Sequence, residues 1–308
     1  MKTHRIATIL LGTLLAACAG NSGRAEPEAD ADAGTEPDAE VELEPELPAT
    51  ACNGSDLLCD RSYADVAYAT THNAMSSAES GWIGPNQTFA VPRQLEDGIR
   101  GLMLDTHWHQ DEAYLCHSAC DLGQQRLSDG LAEIRAFLED HPREVITIIF
   151  EAYITAAQTE AAFAESGLIE LAYTPPGDGS WPTLGEMIEG GRRLVVLTDE
   201  PGTDGPSWYL DVWQHAWDTD WSNRVKEDFS CDKLRGDSPD NPLFILNHFL
   251  TRPYALPSLA EEVNHNPFFI ERAEQCRRES GQIPSLISVD FYEIGDVLAV
   301  VDALNSIE

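Results

Sequence analysis

An α/β fold, a (β/α) TIM-type barrel with room for distortion and a single catalytic domain, is what this sequence predicts. Three observations carry the prediction. Short β-rich runs alternate with helix-like stretches, which implies a parallel architecture. Several of the runs are nearly continuous in Val, Ile and Leu, as expected of strands covered on both faces. Ionisable or amide residues stand at the ends of at least six of these runs, where the open mouth of a barrel forms.

The runs are residues 66–71, 102–105, 145–150, 194–198, 243–247 and 286–291. Between them, residues 130–140 place Leu131, Ile134, Phe137 and Leu138 at helical spacing, and residues 159–171 are Ala-rich and amphipathic. Thr183 and Glu186 have capping-box spacing, which predicts a helix over 183–189, and a last helix is expected over 296–304. Six strands in about 250 residues suit a barrel better than a small open sheet. A doubly wound sheet is the alternative, but no GxGxxG follows the first run.

Ahead of this domain, expected over residues 51–308, lie two segments of other character. In residues 1–17, Lys2 and Arg5 precede an apolar run too short to span a bilayer, the order of an export signal. Leu15-Ala16-Ala17-Cys18 resembles the lipobox of bacterial lipoproteins, which implies a lipid anchor at Cys18 and an exported chain held on the cell envelope or cell surface. Residues 18–50 are rich in Glu, Asp, Pro and Ala, and read as an extended tether that buries too little apolar surface to order itself.

The formal net charge is -34, and beyond the signal the only lysines are Lys226 and Lys233. No basic face exists to neutralise a phosphate backbone, so nucleic acid is excluded as a partner. The same charge disfavours electrostatic adhesion to an anionic membrane, which leaves the anchor to supply proximity. A monomer is expected. Apart from Cys18 there are six cysteines, an even number in a chain sent to an oxidising compartment. Local pairing as Cys52 with Cys59, Cys116 with Cys120 and Cys231 with Cys276 is the simplest arrangement. Zinc is the alternative, although no paired CxxC and no ligand-spaced His and Cys cluster occurs.

His72 and Asn73 end the first run, Asp105 the second, Glu151 the third, Asp199 the fourth, Asn247 and His248 a later one and Asp290 the last. Asp290 is the candidate for orienting a histidine, as a carboxylate does in other base dyads. His107 shares a face with Met103 and Asp105 on strand-like alternation, but a loop position is expected for it and for His109. Asp199, Asn247 and Trp217 are candidates for a pocket wall, with a structural role the safer expectation. Arg93 and Arg100 are expected to pair with nearby acids such as Glu96 and Asp97.

At this point the chain resembles a known family. Ala69-Thr70-Thr71-His72-Asn73-Ala74, Gly98-Ile99-Arg100-Gly101-Leu102-Met103-Leu104-Asp105, Leu115-Cys116-His117 and residues 146–151 look like the ordered signature of the phosphatidylinositol-specific phospholipase C X-domain superfamily. Thr183-Leu184-Gly185-Glu186-Met187-Ile188 and Cys231 with Arg235-Gly236 are similar to its secreted bacterial and fungal branch. The resemblance implies a phosphodiesterase acting on phosphatidylinositol or a related inositol phospholipid through a cyclic inositol phosphate. His72 would be the general base and His117 the general acid. Two imidazoles suit these tasks because a pKa of about 6.5 lets one be neutral and the other protonated near neutrality.

Metal-independent bacterial members carry an arginine at the position of Asp105, whereas calcium-dependent members carry an aspartate there, with an asparagine at Asn73 and a glutamate at Glu151. This chain matches the second set, so Ca2+ held by Asn73, Asp105 and Glu151 is implied, with Mg2+ or no metal as alternatives. One departure weakens the set: Met103 stands where calcium-dependent relatives have a further carboxylate. The scarcity of lysine points to an unphosphorylated inositol headgroup, a glycosylated inositol lipid or a soluble phosphodiester. Two rival readings are a glycerophosphodiester phosphodiesterase, whose glutamate-containing metal motif is lacking after His72, and a surface lipoprotein that binds a lipid headgroup or glycan without turnover.

Overall fold

The computed structural model describes residues 50–177, 179–238 and 240–307. The expected signal peptide, the anchor at Cys18 and the acidic tether up to residue 49 lie outside the described residues. No helix among the described residues is long and apolar enough to cross a membrane.

Among the described residues ten strands form one curled sheet: β1 (Tyr68–Thr71), β2 (Gly101–His109), β3 (Glu112–Leu115), β4 (Gln125–Arg126), β5 (Ile146–Tyr153), β6 (Leu194–Thr198), β7 (Tyr209–Asp211), β8 (Ala216–Asp218), β9 (Leu243–Asn247) and β10 (Leu286–Val289). The main path runs β7-β6-β5-β2-β1-β10-β9-β8 and all its pairings are parallel. β7 and β8 are its two edges, so the barrel is not closed by hydrogen bonds between them. β3 and β4 stand outside this path as an antiparallel extension of β2.

Among the described residues eight α-helices accompany the sheet: α1 (Val91–Glu96), α2 (Leu127–Asp140), α3 (Ala156–Ser166), α4 (Leu184–Glu189), α5 (Val212–His215), α6 (Pro257–Val263), α7 (Phe268–Ser280) and α8 (Val297–Asn305). The expected capping box at Thr183 and Glu186 is formed at the start of α4, and a second, Thr155 with Gln158, opens α3. The helix expected over 159–171 is shorter: Gly167 adopts a left-handed conformation that ends α3, and a 3-10 turn follows.

Strand alternation divides the apolar residues between two layers. Leu102, Leu104, Ile148, Phe150, Val196, Leu246 and Val289 face outward and pack with Leu131, Ile134, Phe163, Phe269 and Val300 of the helices. Tyr68, Ile149, Val195, Leu197, Leu210, Ile245 and Leu286 face inward and fill the lower barrel. Tyr63 lies fully buried at that lower end, stacked on Tyr68 and Trp181. The same parity turns inward His72, Asp199 and Asp290 just past their strands, Asn247 at the end of β9, and Asp105 and Glu151 within β2 and β5.

The cysteines pair as the simplest reading expected, Cys52–Cys59, Cys116–Cys120 and Cys231–Cys276, which removes the zinc alternative. Trp217, a candidate for the pocket wall, faces the outer layer instead, stacked on Phe244 at 3.8 Å with its indole N–H donating to Gln282 (2.6 Å).

Gly101 is needed where β2 meets β1. A Cβ there would stand 2.2 Å from Thr70 Oγ1 and 2.8 Å from both Thr70 Cβ and Cγ2. The β-branched side chain of Thr70 has little freedom to withdraw. Gly101→Ala is expected to destabilise the domain by about 1–3 kcal/mol, read from urea unfolding; an unchanged midpoint would contradict this packing.

Candidate active site

His72 sits one residue beyond β1 and stays in register with β10, because its N–H donates to the Val289 carbonyl (3.0 Å). Gln87 Nε2 donates to the His72 carbonyl at 2.8 Å. The His72 Nδ1 atom lies 2.9 Å from Asp290 Oδ1, and the ring lies flat against Phe249, with centroids 4.0 Å apart and planes 7° apart. Facing a carboxylate, Nδ1 carries the proton, so the Nε2 lone pair points into the mouth. Asn86 Nδ2 holds the same Asp290 oxygen at 2.9 Å, and Asp290 Oδ2 is buried without a partner.

Asn73 takes a left-handed backbone conformation (φ 49°), which asparagine tolerates better than most residues. Its amide nitrogen then stands 3.2 Å from His72 Nε2 and 3.4 Å from His117 Nε2. The two imidazoles thus converge on one amide. His117 arrives from a different direction, on the turn after β3, where the Cys116 N–H donates to the Asp105 carbonyl (3.1 Å).

Asp105 and Glu151 are register partners on β2 and β5, so two carboxylates stand side by side on the inner face. Asp105 is 5% exposed, and among the described residues no hydrogen bond reaches its carboxylate. Burial, then repulsion from Glu151 and Asp199, push its pKa up to about 8, with His72 pulling the other way. Asp199 accepts from the Ala152 N–H at 2.8 Å, and the Tyr153 hydroxyl donates to Glu151. Burial pulls the His72 pKa down, but Asp290, Asp105 and Glu151 together outweigh it and leave it raised. Burial and then the neighbouring His72 hold His117 below its ordinary value.

Several expectations are corrected. β2 continues through His109, so His107 and His109 lie on a strand and not in a loop; His107 faces inward and stacks on Tyr153 at 4.6 Å. The extension is stabilised by pairing with β3, which the local sequence did not reveal. Arg93 pairs with Asp97 as expected, but Arg100, just before β2, pairs with Glu144 (2.6 Å), which precedes β5. Asn247 is held by Asp218 and the Thr219 carbonyl. His248 does not reach the mouth: the next residue along the strand faces outward, where its ring stacks on Phe269 (3.7 Å) and bonds Val263 O and Arg272. Met103 faces inward and accepts from Ser288 Oγ through sulfur (3.2 Å).

Sequence reasoning missed Asn86, Gln87 and Phe249. A polar pair inside a long loop and an aromatic after a strand carry no signal of their own; their roles exist only once β1, β9 and β10 are side by side.

The raised Asp105 pKa carries a stability consequence. Between the ordinary value of 3.8 and about 8 the folded state holds a proton that the unfolded chain has released, so stability falls as pH rises through that window. In divalent-free buffer, Asp105→Asn is expected to raise the thermal midpoint above wild type, by a margin that opens across this window and is constant above it. A margin independent of pH would show that Asp105 is not held neutral.

The family model PI-PLC X 1 matches residues 58–305, nearly the whole described domain. A protein of Arthroderma benhamiae named as an uncharacterized secreted protein is 30% identical over 271 residues, covering 80% of this chain, which spans only 61% of that relative's length. A PI-PLC X domain-containing protein 1 of the same fungus is 28% identical, covering 83% of this chain and 90% of its own. Among solved structures, the phosphatidylinositol-specific phospholipase C of Listeria monocytogenes superimposes with a TM-score of 0.51 at 17% identity, over 81% of this chain and 95% of its own. A point mutant of the phosphatidylinositol-specific phospholipase C from Staphylococcus aureus gives 0.56 at 13% identity, over 81% and 94%. At those identities the likeness concerns the fold alone, and it agrees with the curled parallel sheet. From the family match, the chain belongs to the PI-PLC X domain family.

Proposed function

We propose that this protein is an exported phosphodiesterase that cleaves phosphatidylinositol or a related inositol phospholipid, with His72 and His117 as general base and general acid. The observation that carries the reading is the approach of both Nε2 atoms to the single amide of Asn73, 3.2 and 3.4 Å away, with one ring backed by a carboxylate and the other not. That asymmetry separates the roles. Asp290 keeps the His72 proton on Nδ1 and stabilises the imidazolium that forms when Nε2 takes a proton.

The inositol hydroxyl next to the phosphodiester loses its proton to His72 Nε2 as its oxygen attacks phosphorus. The bond from phosphorus to the glycerol oxygen breaks, and that oxygen takes a proton from His117. Diacylglycerol leaves and a cyclic inositol phosphate remains, which water opens more slowly with the two roles exchanged. His117 is held below its ordinary pKa at rest, and an anionic phosphodiester between the rings favours its protonated form.

Asn73, Asp105 and Glu151 present hard oxygen donors, and a buried Asp105 carboxylate with no hydrogen bond suits a divalent cation such as calcium. No three His, Cys, Asp or Glu side chains form a metal-ligand group among the described residues, but in this set the third member is an amide. A cation bound there would supply positive charge to the phosphate. Both lysines are engaged elsewhere, Lys226 over the Phe268 ring and Lys233 on the Gly236 carbonyl, which favours a headgroup without extra phosphates. Three disulfides and a relative named as secreted support export; an anchor at Cys18 would set a monomeric domain beside its lipid substrate.

The test is turnover of phosphatidylinositol, glycerophosphoinositol and glycerophosphocholine by the purified protein, with calcium or with chelator. Diacylglycerol and cyclic inositol phosphate are expected, with loss under chelation. Turnover of the glycerol esters alone would select a glycerophosphodiesterase, and none at all a binding protein. His72→Ala and His117→Ala are each expected to lower the rate at least about a hundredfold.

A further inference from the structure

The two histidines are held in place by different means. His72 has a carboxylate on Nδ1, an aromatic ring against its face and two backbone hydrogen bonds. His117 has none of these side-chain supports. Among the described residues its one side-chain hydrogen bond is the 3.4 Å approach of Asn73 and no ring stacks on it, and the next two residues, Ser118 and Ala119, are exposed. An imidazole so placed would be expected to sample several rotamers and turn conformations.

What limits it is the backbone. Cys116 is fully buried and its N–H is bonded to Asp105, the strand neighbour of the mouth. Four residues on, Cys120 returns to it through a disulfide with a Cα–Cα distance of 4.9 Å, so His117, Ser118 and Ala119 are enclosed in a small covalent ring. Within it the Ala119 N–H donates to the His117 carbonyl (2.9 Å), and Ser118 takes a left-handed conformation (φ 64°) that a free chain would rarely adopt. Beyond it, the Leu122 carbonyl accepts from Ile83 at 2.7 Å, which ties the ring to the loop after β1.

We propose that the Cys116–Cys120 disulfide is a positioning device for the His117 imidazole, taking the place of the side-chain partners that His72 has. The bridge spans a sequence separation of 4, against 7 and 45 for the other two. It therefore withdraws the least chain entropy from the unfolded state and contributes least to overall stability on that account. Its effect is local, where a misplacement of about 1 Å in a reacting group can cost about a hundredfold in rate.

The catalytic half of this inference rests on the proposed function. The whole protein carrying Cys116→Ala with Cys120→Ala is compared with wild type and with a Cys52→Ala, Cys59→Ala control; should the alanine pair not fold, Cys116→Val with Cys120→Ala keeps apolar volume at the buried position. Two substrates share the inositol phosphate: the diacylglycerol ester, whose alkoxide needs a proton from His117 as it leaves, and a 4-nitrophenyl ester, whose phenolate leaves as the anion. The variant is expected to lose about tenfold to a hundredfold in kcat on the lipid with KM little changed, and to keep most of its rate on the aryl ester. Hydrogen exchange over residues 116–122 is expected to speed up while the strands stay protected, and the control is expected to change neither ratio nor exchange there. Equal losses on both esters, or no loss on the lipid, would overturn the positioning role. If wild type cleaves neither ester the proposed function falls, and exchange alone decides: unchanged protection at 116–122 overturns the inference, and faster exchange sustains it.

Discussion

The parallel ladder between β1 and β10 is the constraint on which the site depends. It pairs Tyr68 with Leu286 through to Thr71 with Val289, joining the first and last strands of the domain. One residue beyond its end, His72 and Asp290 are brought to 2.9 Å although 218 positions separate them in sequence. A parallel pair lets both chains leave the sheet at the same end. Two inward side chains that emerge together at the mouth follow from that direction and from a period of two. The loop residues Asn86 and Gln87 reinforce the junction by bonding to both sides of it.

Against this rigid junction stands an electrostatic cost. The register of β2 with β5 places Asp105 beside Glu151, and Asp199 of the next strand end adds a third carboxylate nearby. A burial-raised acid with no hydrogen bond stabilises nothing at neutral pH, so its presence is not explained by folding. Groups whose pKa is displaced by burial and a like charge are concentrated where charge is to be bound or moved. Among the described residues no arginine forms an ion pair with these carboxylates: Arg93 and Arg100 are bound to Asp97 and Glu144, and Arg272 is buried against His248 and Phe229. Below the carboxylates the interior is filled largely by apolar residues such as Ile149, Leu197 and Ile245, with neutral hydroxyls such as those of Thr147 and Ser288 between them.

The mouth is also built from unequal parts. β1, β2, β5 and β10 carry its side chains on regular strands or their ends, whereas His117 is delivered by a hairpin that leaves the barrel and comes back. Rigid strand ends suit groups that must keep a fixed separation. A turn outside the sheet has no such ladder, and covalent closure supplies what hydrogen bonding does not.

Much of this was legible in the sequence. Runs of Val, Ile and Leu with a polar last residue located six strands, because a strand buried on both faces has to be apolar until it reaches the mouth. His72, Asn73, Asp105, Glu151 and Asp290 could be singled out for the same reason, and the short spacing of cysteines made local bridges the simplest pairing. The short edge strands β7 and β8, the extension of β2 past Asp105 and the hairpin strands escaped, since their stability comes from partners far away in the chain rather than from local pattern. The outward turn of His248, the choice of Glu144 by Arg100 and the stacking of Phe249 on His72 were likewise decided by tertiary structure. Which side chains share a face is local and periodic, and the amino-acid order alone determines it. Which of them meet depends on strand order and register, and these are settled only when the whole sheet has curled.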